Sequence, residues 1–124
     1  LDRLECLEDL RRWRDIMVDM LRGFGCVGGC PIGSLGSDLA ETDPVARAQI
    51  ARSFVQWENM IRDGLTAIAA RGELPDGTEV DHLALAMLAA IQGGLLLSQV
   101  RRDTAALEAA VDTMIEHLRT LGVQ

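Results

Sequence analysis

The sequence contains no lysine and no tyrosine, and its only aromatic residues are two tryptophans and two phenylalanines. All twelve basic residues are arginine, a bias that fits a GC-rich bacterial genome and carries no chemistry of its own. Basic charge is short overall: the net charge is −7 and the pI about 4.7. A chain this acidic has no basic footprint with which to release counterions, so these residues alone are not expected to bind nucleic acid or an anionic membrane. Cysteine is sparse and odd in number, Cys6, Cys26 and Cys30, with no secretory signal peptide before them. That usage suits reduced thiols in a cytosol rather than a disulfide framework. No segment alternates apolar and polar residues as a half-buried strand does, and the longest nearly uncharged run, Leu83 to Val100, is broken by Gln92, Ser98 and Gln99. It reads as a buried helix and not as a membrane span. A starting methionine is also lacking, and no capping residue precedes Leu1. The expectation is a chain cut within or just before a helix, with an N-terminal portion missing.

What is present is helical periodicity. At 124 residues the chain is one domain with one modest core. Leu4, Leu7, Leu10, Trp13, Met17, Met20 and Leu21 recur at steps of three or four, which predicts a first helix from about Asp2 to Arg22, ended by Gly23 and Gly25. A glycine-rich connector follows, with a short helix expected near 32–40. Thr42-Asp43-Pro44 reads as a helix start, and the second long helix should run to Arg71 and stop at Gly72. Leu74-Pro75-Asp76-Gly77 is a turn, after which Thr78 is expected to cap a third helix over 79–101. The fourth should span 104–121. The fold class is therefore all-α: an antiparallel bundle of four long helices plus one short helix.

Three motifs invite site chemistry. Gly23-Phe24-Gly25-Cys26-Val27-Gly28 matches the dinucleotide fingerprint, but that fingerprint needs a strand to deliver the chain and an amphipathic helix delivers it here. Gly28 to Gly33 has phosphate-loop spacing, yet Ser34 stands where the lysine belongs. Cys26 and Cys30 fall short of a four-ligand zinc site, since His82 and His117 are isolated on the last two helices. No nucleophile–base set is recognisable, so no catalytic residue, metal or cofactor is expected and the chain is not read as an enzyme.

Two apolar sets remain. Trp13, Met17, Met20, Phe54, Trp57, Met60, Met87 and Ile91 fall on inward stripes of three helices, with Asn59 and Gln92 beside them. They read either as ordinary core or as the lining of a cavity for an apolar or amphipathic ligand. The third helix is apolar nearly all round and too greasy for a monomer to cover. Leu88 and Leu95 on it, with Leu107, Val111, Met114, Ile115 and Leu118 on the fourth helix, are the expected homodimer interface, a four-helix contact through the last two helices.

Gly29-Cys30-Pro31-Ile32-Gly33-Ser34-Leu35, then Asp38-Leu39-Ala40, Asp43-Pro44, Arg47, Trp57, Gly72-Glu73-Leu74 and Gln92-Gly93, resembles the C-terminal domain of TetR-family transcriptional regulators, in the LmrA/YxaF-like branch. The resemblance covers nearly the whole chain, and Gly-Cys-Pro-Ile-Gly-Ser-Leu is its most specific part. It implies a helical effector-binding and dimerisation domain, 1–124, of a cytoplasmic, usually repressing, bacterial regulator. In such proteins an N-terminal helix-turn-helix domain, absent from this chain, contacts operator DNA. The other functional reading is a structural dimerisation module whose interior is closed, and more distantly a small helical enzyme.

Overall fold

The computed structural model describes residues 4–27, 36 and 38–122. Four long helices account for most of them: α1 (Leu7–Gly23), α2 (Pro44–Ala70), α3 (Val80–Arg101) and α4 (Ala105–Gly122). No strand occurs among the described residues, as the all-α reading requires. Most of the expected short helix and the whole Gly-Cys-Pro-Ile-Gly-Ser-Leu segment lie outside the described residues. Gly36, Asp38 and Leu39 are helical, and the Ala40 amide donates to the Gly36 carbonyl at 2.9 Å.

The helix ends are set by local chemistry. α1 starts at Leu7 and not at Asp2, because the Asp9 carboxylate reaches back to accept from the amides of Glu5 at 3.0 Å and Cys6 at 3.2 Å. Those bonds satisfy donors that a helix start leaves free. The Glu5 amide first, then Cys6 and the Arg12 guanidinium, hold the Asp9 carboxyl below its ordinary pKa. At its far end α1 is closed by two bonds, Gly25 N–H to Arg22 O and Cys26 N–H to Leu21 O, each 2.9 Å. This is a Schellman closure, and Gly25 takes the left-handed φ of +61° that it demands. The glycines of the opening loop therefore end a helix, and the amides of Gly25 and Cys26 are spent on that closure instead of facing a phosphate.

Within Thr42-Asp43-Pro44 it is Asp43 that caps α2, accepting from the Val45 and Ala46 amides at 3.1 Å. α2 ends in the same closure as α1, with Gly72 N–H to Ala69 O and Glu73 N–H to Ile68 O. Thr78 does not cap α3. Its hydroxyl turns back to the Pro75 carbonyl at 2.6 Å, leaving Glu79 as the first flanking residue. The Leu-Pro-Asp-Gly turn claims the hydroxyl before the helix can.

The helices pack in the order α2, α3, α4, α1, and no comparable packing joins α1 to α2. α3 is central, burying Leu83, Ala84, Met87, Leu88, Ile91, Gly94 and Ser98. Gly94 sets its distance from α4: a Cβ there would lie 2.8 Å from the Leu107 Cα, so only glycine permits this backbone approach. α1 is tied to α4 by Arg14, which donates to Asp112 at 2.8 Å and to Glu108 at 3.0 Å, with Asp15 on the same guanidinium. These carboxylates push the Arg14 pKa further up. Arg102, left-handed at the α3–α4 turn, donates to the Cys26 carbonyl at 2.8 Å and fixes the end of α1.

Candidate functional site

The gap in helix packing between α1 and α2 holds a half-open groove of about 720 Å³. One wall is the lead-in to α1 and its first turns, with Leu4, Glu5 and Trp13. The other is the outer flank of α2, where Gln56, Asn59, Met60 and Asp63 stand over a floor of Gly64, Ala67 and Ala70. These small residues, three apart, let the chain approach α2 closely: Leu4 rests on Gly64, where a Cβ would meet its side chain at 2.6 Å. Arg71 closes the far end.

Of the eight expected ligand-lining residues, the groove gathers Trp13 and Met60, with Asn59 between them in sequence. Met17, Phe54 and Trp57 are half-buried against the core beyond its lining, while Met20 points into solvent at 57% exposure. Met87 and Ile91 are fully buried. They pack within the α3 core and do not line the groove. The site thus lies where α1 and α2 separate, but nearer the start of α1 and the end of α2 than hydrophobic periodicity indicates. The spacing Gly64, Ala67, Ala70 was the available signal for it, since three small residues on one flank leave a hollow.

The expected dimer residues have a different placement from the one anticipated. Leu88, Leu107, Val111, Ile115 and Leu118 are buried inside the chain, and Leu95 and Met114 pack against them half-buried. Period-3.5 apolar spacing marks a helix face that needs cover, and here α1 and α3 supply it for α4 within one protomer. Apolar surface also stays open on the opposite side of α3. Leu85, Leu96, Leu97 and Val100 are exposed there, and so are Ala89 and Gly93. α3 is long and apolar enough to cross a membrane by length and composition alone, but the core helix of a soluble bundle passes the same test and its inner face is packed here.

His82 and His117, isolated in sequence, line one cleft at the end of the bundle where α3 begins and α4 finishes. No group of three or more metal-ligating side chains occurs among the described residues. Cys6 is half-buried and Cys26 buried, both as free thiols, and Cys30 lies outside the described residues. The Gly-Glu-Leu triplet has a structural role throughout: Gly72 takes φ +85°, Leu74 is buried, and the Glu73 carboxylate accepts the Leu7 amide at 3.0 Å. It thereby joins the end of α2 to the start of α1.

The chain is thus an all-helical bundle with a lateral groove and one helix apolar on both faces. The chain belongs to the tetracyclin repressor-like C-terminal domain family, whose model matches residues 6–114. It is also similar to an uncharacterised HTH-type transcriptional regulator in the lacX 3′ region of Lactococcus lactis subsp. lactis, at 30% identity over 97 residues, covering 76% of this chain and 46% of the relative. The chain thus spans about half the length of that relative. No solved structure matches it. These likenesses support a regulatory domain of TetR type.

Proposed function

We propose that this chain is the effector-sensing and dimerisation part of a cytoplasmic TetR-type repressor, in which a small apolar or amphipathic molecule controls operator binding by an N-terminal helix-turn-helix domain. The observation that carries the reading is the groove between the start of α1 and the end of α2, lined by Trp13, Met60 and Asn59. Because α1 packs mainly on α4, a ligand that wedges into the groove displaces α1 without breaking the α3–α4 core. Arg14 and Arg102 then carry that displacement to α4 and to the α3–α4 turn. The effector acts only through its differential affinity for two arrangements, and about 1 to 3 kcal/mol suffices for regulation.

The homodimer forms through the outer face of α3. Leu85, Ala89, Leu96 and Val100 give it an uncharged apolar strip that a second copy covers. The full burial of Met87 and Ile91 favours the other reading, a structural dimerisation module with a closed interior. Tryptophan fluorescence separates the two, since Trp13 lines the groove and Trp57 is half-buried on α2. Titration with amphipathic compounds is expected to change emission saturably in the sensor, and Trp57→Ala is expected to simplify the signal to Trp13 without dissociating the dimer. An emission spectrum indifferent to every compound supports the module.

The isolated domain, at net charge −7, is expected to bind no DNA at moderate salt. Fluorescence anisotropy with labelled duplex checks this, and micromolar, salt-sensitive binding would contradict it.

A further inference from the structure

We infer that the groove selects lipophilic monocations, a step that rests on the sensing role proposed for it. Its walls carry two carboxylates and one guanidinium, and their partners decide the balance. Arg71 is drawn 3.8 Å from the Glu73 carboxylate, outside the lining, so its charge is met before a ligand arrives. Glu5 is exposed and forms no ion pair among the described residues. Asp63 has only Arg62 at 3.9 Å, and Arg62 stands equally far from Asp81. Negative charge on the groove wall is therefore left over.

The apolar part of the lining fits the same class. Met60 offers an exposed, polarisable thioether that attracts a diffuse cation while covering its hydrocarbon, and the buried Trp13 backs the wall behind it. A small, strongly hydrated ion gains nothing from those groups. An aromatic or alkyl onium ion gains from both the carboxylates and the apolar wall. An amphipathic anion meets the same wall but is repelled by Glu5 and Asp63.

The test uses two ions of nearly equal shape and opposite charge, tetraphenylphosphonium and tetraphenylborate, titrated into the whole chain by isothermal calorimetry. The cation is expected to bind about tenfold tighter, an advantage that shrinks as salt rises. Glu5→Gln with Asp63→Asn, both on exposed side chains, should bring the two ions close to parity with the melting temperature unchanged. Ala67→Phe, which fills the floor, should abolish cation binding. Equal or tighter binding of the anion to the unaltered chain, lost on Ala67→Phe, overturns the cation preference and leaves the groove as a ligand site. Binding of neither ion overturns the preference, and if a neutral amphiphile also fails to bind, the sensing role falls with it. Cation binding that survives Ala67→Phe places the ion elsewhere and likewise overturns the inference.

Discussion

Leu96→Glu with Val100→Glu is expected to give a folded monomer, whereas Val111→Arg or Leu118→Arg is expected to prevent folding. The first pair sits on the outer face of α3, at 58% and 73% exposure within one protomer, so charge there costs the isolated chain almost nothing. In a dimer the same carboxylates would face a second copy across a desolvated apolar strip, and like charges there cost several kcal/mol. Sedimentation should show the mass halved, with helical circular dichroism kept. Val111 and Leu118 are at 1% and 0% exposure. An arginine at either position buries an unpaired guanidinium or forces the bundle open, a cost of about 4 kcal/mol or more against a total stability of about 5 to 15. A double variant that stayed dimeric would move the interface off α3.

Neighbouring glycines on α3 should respond with opposite signs. Gly94→Ala places a methyl group 2.8 Å from the Leu107 Cα. The obstacle is backbone, so α4 itself must shift, and overpacking of this kind costs about 1 to 3 kcal/mol. Gly93 has nothing within 4 Å of a Cβ, and alanine there should add up to about 1 kcal/mol through helix propensity alone. Melting temperatures measured on the monomeric double variant check the pair, at roughly 4 °C per kcal/mol for a chain of this size. In the dimer, the Gly93 gain should shrink if a partner helix approaches that face. Equal effects of the two substitutions would mean that α3 is rotated relative to the packing described above.

The fold was legible wherever one local signal decided it. Asp43-Pro44 set the start of α2, Gly72 its end, and the lack of alternating segments excluded a sheet. Cys6 was not legible as a helix start, because the capping group is the carboxylate of Asp9 acting backward and cysteine carries no strong capping signature. Thr78 misled because its hydroxyl donates to the Pro75 carbonyl within the turn, and the helix begins one residue later, behind Glu79. The candidate site was legible only in its location. Hydrophobic periodicity marks which side chains need cover, and it does not say whether cover comes from the same chain, a second copy or a ligand. Leu107, Val111, Ile115 and Leu118 are covered by the chain itself, and the exposed apolar residues of α3 lie on its other side. Met87 and Ile91 likewise found protein neighbours, while the hollow formed beside Ala67 and Ala70, with Leu4 seated on Gly64 at its edge. His82 and His117 became neighbours only through the antiparallel pairing of α3 with α4.

A small molecule that enters between α1 and α2 is expected to bind and stabilise the folded domain. Thermal unfolding of the domain against a panel of amphipathic compounds tests this most directly, since ligand at a hundredfold excess over Kd stabilises the folded state by about 2.7 kcal/mol. At least one compound is expected to raise the melting temperature by roughly 10 °C, with the rise lost in Ala67→Phe. A well-folded domain whose melting temperature no compound moves, or moves equally with the groove filled, would contradict it.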